Sequence, residues 1–138
     1  MELDLGDELG ATAPPSAQRL SLYVPNKDCD GQVIAEYEAW CTEAQELLTA
    51  IGGGATAFPP VDGTWKRPDG SVLWERTTIM YTYVDAEKLT EKIGQLREFL
   101  HRFGRETNQG EVIVEFDGLL WRINAYDSTS EEYHGNEK

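Results

Sequence analysis

The sequence predicts an α+β fold, a ferredoxin-like split βαβ sandwich in the order β-α-β-β-α-β-β with two helices on one face of an antiparallel sheet. Three observations predict it. Ser71 to Val84 is rich in β-branched and aromatic residues and free of Gly and Pro, the longest strand signal in the chain. Leu89, Ile93, Leu96, Leu100 and Phe103 recur at helical spacing directly after it. Asp117-Gly118 then sits between two apolar runs, as a two-residue hairpin turn requires.

Taken in order, residues 1–17 are acidic and then Ala/Pro-rich, which predicts a flexible arm. Arg19 to Val24 alternates Leu20, Leu22 and Val24 with Ser21 and Tyr23, a first strand that stops at Pro25. Asn26 to Gly31 reads as a turn, with Asp28 or Asp30 able to cap a helix. That helix is expected from Gln32 to Ile51. Val33, Ile34, Tyr37, Trp40, Cys41, Ala44, Leu47, Leu48 and Ile51 share one arc of it, and Gly52, Gly53 and Gly54 end it.

Ala55 to Pro60 is expected to be irregular, because Pro59-Pro60 removes two sheet donors. Val61 to Arg67 reads as a short strand, and Pro68-Asp69-Gly70 turns it back onto the long one. The long strand divides its side chains into two sets, Leu73/Glu75/Thr77/Ile79/Tyr81/Tyr83 and Val72/Trp74/Arg76/Thr78/Met80/Thr82/Val84. Neither set is plainly the wet one. The second helix has Asp85 as N-cap, Arg97, His101, Arg102 and Arg105 near its end, and Gly104 as its stop. Glu111 to Asn124 forms the closing hairpin, which places Val112, Val114, Phe116, Leu119, Trp121 and Ile123 on one face. Helix and hairpin together are expected to be the centre of stability, and 127–138 a flexible acidic tail around a single domain at 18–126.

The chain of 138 residues carries a net charge of −13. Glu2, Asp4, Asp7 and Glu8 give residues 1–18 a charge of −4, and residues 127–138 carry −3, which leaves −6 for the body. An acidic DNA mimic is therefore a remote reading, and nucleic acid is not expected as a partner. Cys29 and Cys41 have no metal-ligand or redox spacing, so reduced thiols, no metal and no cofactor are expected. An acidic start without an export signal, and no long apolar run, predict a cytoplasmic protein away from membranes.

Candidate functional residues collect on the sheet. Glu75, Thr77, Tyr81 and Tyr83 share a strand face on which Glu75 can act as a general base, but no second carboxylate, His or Lys stands at fixed spacing from it. Trp65 and Trp74 flank the Pro-Asp-Gly turn and can stack on a planar ligand or simply staple the hairpin. Tyr23, Ile113 and Leu120 complete a half-apolar face. His101 reads as a surface group compensating a helix dipole, His134 has no assigned role, and Cys29 between Asp28 and Asp30 is a poor nucleophile.

Gly63-Thr64-Trp65, Asp69-Gly70, Glu75-Arg76-Thr77 and Arg102-Phe103-Gly104 resemble the pattern of a family of small bacterial proteins of unknown function. The chain departs from it at Arg105, where that pattern has Gln. The resemblance implies an α+β sandwich and supplies no catalytic residues.

With no catalytic constellation, the sequence points to a non-enzymatic interaction module, a homodimeric accessory protein that self-associates through the sheet face or docks a protein partner. The alternative is a small-molecule enzyme or ligand-binding protein with its pocket on that face. A flat apolar patch favours the first and a concave opening with convergent polar groups the second.

Overall fold

The computed structural model describes residues 2–15 and 18–128. Residues 129–138, with most of the expected tail and His134, lie outside the described residues. The order is α1 (Leu5–Leu9), β1 (Arg19–Pro25), α2 (Tyr37–Gly52), β2 (Thr56–Ala57), β3 (Val61–Lys66), β4 (Val72–Tyr83), α3 (Ala86–Glu91), α4 (Ile93–Glu106), β5 (Val112–Phe116) and β6 (Leu119–Ile123). The strands form one antiparallel sheet of six, in the order β2-β4-β1-β5-β6, with β3 beside β2 on the same edge of β4. The chain is an α+β protein with its helices packed on this sheet. No described helix is long and apolar enough to cross a membrane.

Register decides which face of β4 meets the helices. Leu22 pairs with Met80 and Leu20 with Thr82, and Val114 pairs in turn with Leu22. These residues share one face, and Leu20, Leu22, Val24, Met80, Val112 and Val114 are buried against Ala44, Leu48 and Ile51 of α2 and Leu96, Phe99, Leu100 and Phe103 of α4. Thr78 lies on this face too, and Tyr37 satisfies it through a 2.5 Å hydrogen bond while donating to the Val24 carbonyl at 2.9 Å. Burial pushes the Tyr37 phenol up to about 12. Tyr23, Glu75, Thr77, Ile79 and Tyr81 are thereby assigned to the face that no described helix covers.

Turn chemistry follows the sequence. Asp69 Oδ1 accepts from the Ser71 N–H and hydroxyl, and Gly70 takes φ +91°. Asp117 and Gly118 both take positive φ, as a type I′ turn needs. Asp85 caps α3 by accepting from Lys88 N at 2.8 Å.

Six expectations are corrected. The first long helix starts at Tyr37, because Lys27 bridges Val33 and Ile34 N–H donates to Asn26 O, keeping 32–34 out of the helix before a turn at 35–36 in which Glu36 takes φ +58°. The second helix is two: it breaks at Lys92, and Ile93 is 39% exposed, off the stripe it was expected to extend. Gly104 does not stop α4 but lies inside it, under the ring of Tyr126, where a Cβ would strike that ring. His101 is buried, not a surface group, and its Nδ1 accepts from Asp127 N–H at 2.8 Å. Desolvation, with Arg97 and Arg105 nearby, depresses its pKa although Asp127 pulls the other way. Asp127, expected in the tail, is therefore an anchored residue, paired with both Nε and Nη2 of Arg97. Finally, no described helix reaches over β6, so Trp121 is 58% exposed and the last hairpin is only half a core element. In the arm, Leu5–Leu9 forms a short helix with no buried residue.

This distribution separates two substitutions. Leu96→Ala is expected to cost about 2–5 kcal/mol, whereas Trp121→Ala is expected to cost under about 1 kcal/mol. Denaturant titration checks the pair, and the reverse order would contradict the assigned burial.

Candidate functional site

Where β1 ends at Pro25, β4 and β3 run on beyond it. The chain leaving β1 stays beside β4: Asn26 exchanges hydrogen bonds with Arg76, its N–H donating to Arg76 O and its Oδ1 accepting from Arg76 N, and Lys27 Nζ donates to Trp74 O. Residues 107–111, between α4 and β5, pack on this segment. Cys29 N–H donates to Asn108 O at 3.0 Å, Asn108 Nδ2 to Asp30 Oδ2 at 3.0 Å, and Gln109 Nε2 to Lys27 O at 3.0 Å. The open sheet face is thus the floor of a hollow, with β3 as one wall and these two loops as the other. Its volume is about 340 Å³, within the small-ligand range.

The Gly-x-Trp segment acquires a physical reason here. Gly63 pairs with Glu75 across the ladder, and a Cβ there would come within 2.8 Å of Thr77 Oγ1. Its bare backbone therefore leaves open the space into which Glu75 and Thr77 face. Two residues on, Trp65 pairs with Leu73 across the ladder and its indole edge stands beside Gly110, where a Cβ would come within 3.0 Å of it. An aromatic ring from β3 and the glycine of the 107–111 loop meet across the hollow.

Its electrostatics are acidic. Asp28, Asp62, Glu75 and Glu111 line it, against Arg122. Asp62 is paired with Arg76 at 2.6 Å and Glu111 with Arg122 at 2.9 Å. Glu75 is half-buried and has no ion pair or hydrogen bond to its carboxylate among the described residues. Desolvation pushes its pKa above the ordinary glutamate value, partly offset by the charge of Lys27. Tyr23, from β1, donates to Glu115 at 3.3 Å, and its phenol is raised by burial first and by Glu115 second. Cys29 also lines the hollow; burial, Asp30 and Asp28 all raise its thiol, which leaves it a poor nucleophile.

Of the residues picked out by sequence, Tyr23, Trp65, Glu75, Thr77 and Ile113 come together in the hollow. The other four do not. Trp74 is on the opposite face from Trp65 and 61% exposed, so the two indoles cannot sandwich one ligand. Tyr81 and Tyr83 lie at the far end of the face, in edge contact with each other, with Phe58 and Arg19 against Tyr81. Leu120 sits on the outermost strand β6. The sequence reading missed Asp62, Gln109, Gly110, Glu111 and Arg122. The only local signal is Gly110 itself, a breaker just before the strand, and no local pattern announces the loop's packing against residue 29.

No protein-family model and no curated protein matches the chain. Solved structures do share its fold. A phage SAM lyase in complex with S-methyl-5'-thioadenosine aligns with a TM-score of 0.58 at 17% identity, over 83% of this chain and 94% of that one. A phage SAM lyase in the apo state aligns with a TM-score of 0.56 at 15% identity, over 79% and 90%. At such identities the likeness establishes the fold. The expectation of a non-enzymatic accessory module is corrected: both aligned structures are of an enzyme, and the face expected to be a flat docking patch is concave, with polar groups among its lining.

The Glu75 environment is directly measurable. Carboxyl NMR titration is expected to place its pKa above that of an ordinary glutamate, and Lys27→Met is expected to raise it further by removing the one favourable charge. A Glu75 value at or below the ordinary one would contradict the desolvated pocket.

Proposed function

We propose that this chain is a small-molecule enzyme that takes a sulfonium of the S-adenosylmethionine type into the hollow and cleaves it as a lyase. The observation that carries the reading is Glu75, a partly desolvated carboxylate with no ion pair among the described residues and only the charge of Lys27 partly offsetting its desolvation, facing a cavity of about 340 Å³ on a fold shared with phage SAM lyase. A buried anion of this kind gains most from a ligand that brings its own positive charge. The substrate's sulfonium and ammonium supply it. Trp65 and Tyr23 offer aromatic surface for a planar base.

Lyase cleavage of such a substrate breaks a carbon–sulfur bond whose two electrons stay on sulfur, so the sulfonium becomes a neutral thioether, while the carbon it leaves takes its new bond from the substrate's own carboxylate, closing a lactone without any co-reactant. Charge is lost on the way to the transition state, so a pocket poorer in water than bulk solvent favours the step. Glu75 then serves to dock and orient the cation. The strand order β3-β4-β1-β5, with helices following β1 and β4, supports the finer assignment to a ferredoxin-like sandwich extended by β6.

Calorimetry at neutral pH with two ligands tests the role of Glu75. Glu75→Gln is expected to weaken S-adenosylmethionine on the order of 10–100-fold while leaving neutral S-methyl-5'-thioadenosine within about threefold. For the unmodified protein, S-adenosylmethionine affinity is expected to fall as the pH drops through the raised Glu75 pKa, because the protonated carboxyl no longer attracts a cation. Equal effects on both ligands remove Glu75 from cation recognition. Failure of the unmodified protein to bind either one overturns the substrate class.

A further inference from the structure

We infer that Tyr126 is a positioning residue of the hollow, holding the Gln109–Gly110 peptide of its wall from outside. The inference deepens the pocket reading above and rests on it. Tyr126 follows β6, crosses α4 and donates its hydroxyl to the Gln109 carbonyl at 2.8 Å. That carbonyl shares a trans peptide plane with the Gly110 N–H, so fixing one direction fixes the other, on the side away from Tyr126. Gln109, Gly110 and Glu111 line the hollow, and a side chain at Gly110 would run into the Trp65 indole.

Tyr126 is in turn held on three sides. Gly104 leaves the space its ring occupies on α4. The His101 ring meets it edge-on at 6.0 Å. The next residue, Asp127, is tied down through its N–H to His101 Nδ1, through its carboxylate to Arg97, and through its carbonyl to Arg105 Nη1 at 2.5 Å. Burial, with Glu111 and Cys29 near, pushes the Tyr126 phenol up to about 12, so the donor is present throughout the physiological range. Gln109 N–H also donates to Gly104 O, so helix α4, strap and pocket wall meet within a few residues. The arrangement gives Gly104 and the C-terminal strap a purpose that core packing alone does not: they set the plane of a peptide in the wall of the hollow.

Tyr126→Phe keeps the ring and removes only the hydroxyl. Amide exchange by mass spectrometry or NMR is expected to speed up about three- to tenfold at 108–111 while β1 and β4 keep their protection, with a melting shift of at most a few degrees. Affinity for S-methyl-5'-thioadenosine is expected to fall by a similar factor. Gly104→Ala, which displaces the ring, should reproduce the local effect. Unchanged exchange at 108–111 in Tyr126→Phe, or a rise spread evenly over β1 and β4, overturns the positioning role. Exchange needs no ligand, so it decides this claim even where S-methyl-5'-thioadenosine fails to bind the unmodified protein and the substrate class falls.

Discussion

Everything in this protein is hung on the alternation of side chains along β4. Twelve consecutive residues point alternately to two faces, and the pairing of Leu22 with Met80 decides which is which. With Met80, Thr78 and Thr82 turned to the helices, Glu75, Thr77 and Ile79 must turn away from them. A slip of one residue would turn Glu75 away from the hollow and Met80 out of the core. The same register that buries the core therefore delivers the carboxylate to the site, and stability and function are set by one choice.

The second constraint is length. β4 and β3 outrun β1, so the open face acquires an overhang that the loops at 26–33 and 107–111 close from the opposite side. Small residues decide how closely the pieces approach. Gly63 opens room beside Glu75 and Thr77, Gly110 admits the Trp65 edge, and Gly104 admits Tyr126. The result is a half-desolvated acidic hollow in which Asp62 and Glu111 have their own arginines and Glu75 has none.

Much of this was legible in the sequence. The strand pairing, both turns and the Asp85 cap follow from period-two patterning and turn chemistry, which are local. Five of the nine residues assigned to the sheet face do meet in the hollow because they lie on adjacent strands on one face. Trp74 misled because a hairpin puts both indoles near one turn, although parity separates them. Trp121 misled because an apolar face on an outer strand is buried only where a helix extends over it, and that is a matter of tertiary reach. Gly104 and His101 looked like a helix end because the partner that explains them, Tyr126 with Asp127, comes more than twenty residues later, beyond the last strand. The lean toward a non-enzymatic module arose because a pocket built from one carboxylate and two loops has no fixed spacing to recognise.

The central claim is that the hollow acts on a sulfonium, and the most direct measurement is product formation. S-adenosylmethionine is incubated with the unmodified protein, and S-methyl-5'-thioadenosine is quantified by mass spectrometry against a no-protein control. The account predicts S-methyl-5'-thioadenosine in many-fold molar excess over protein. Release no faster than in the control, from protein whose fold is intact by circular dichroism, would contradict it.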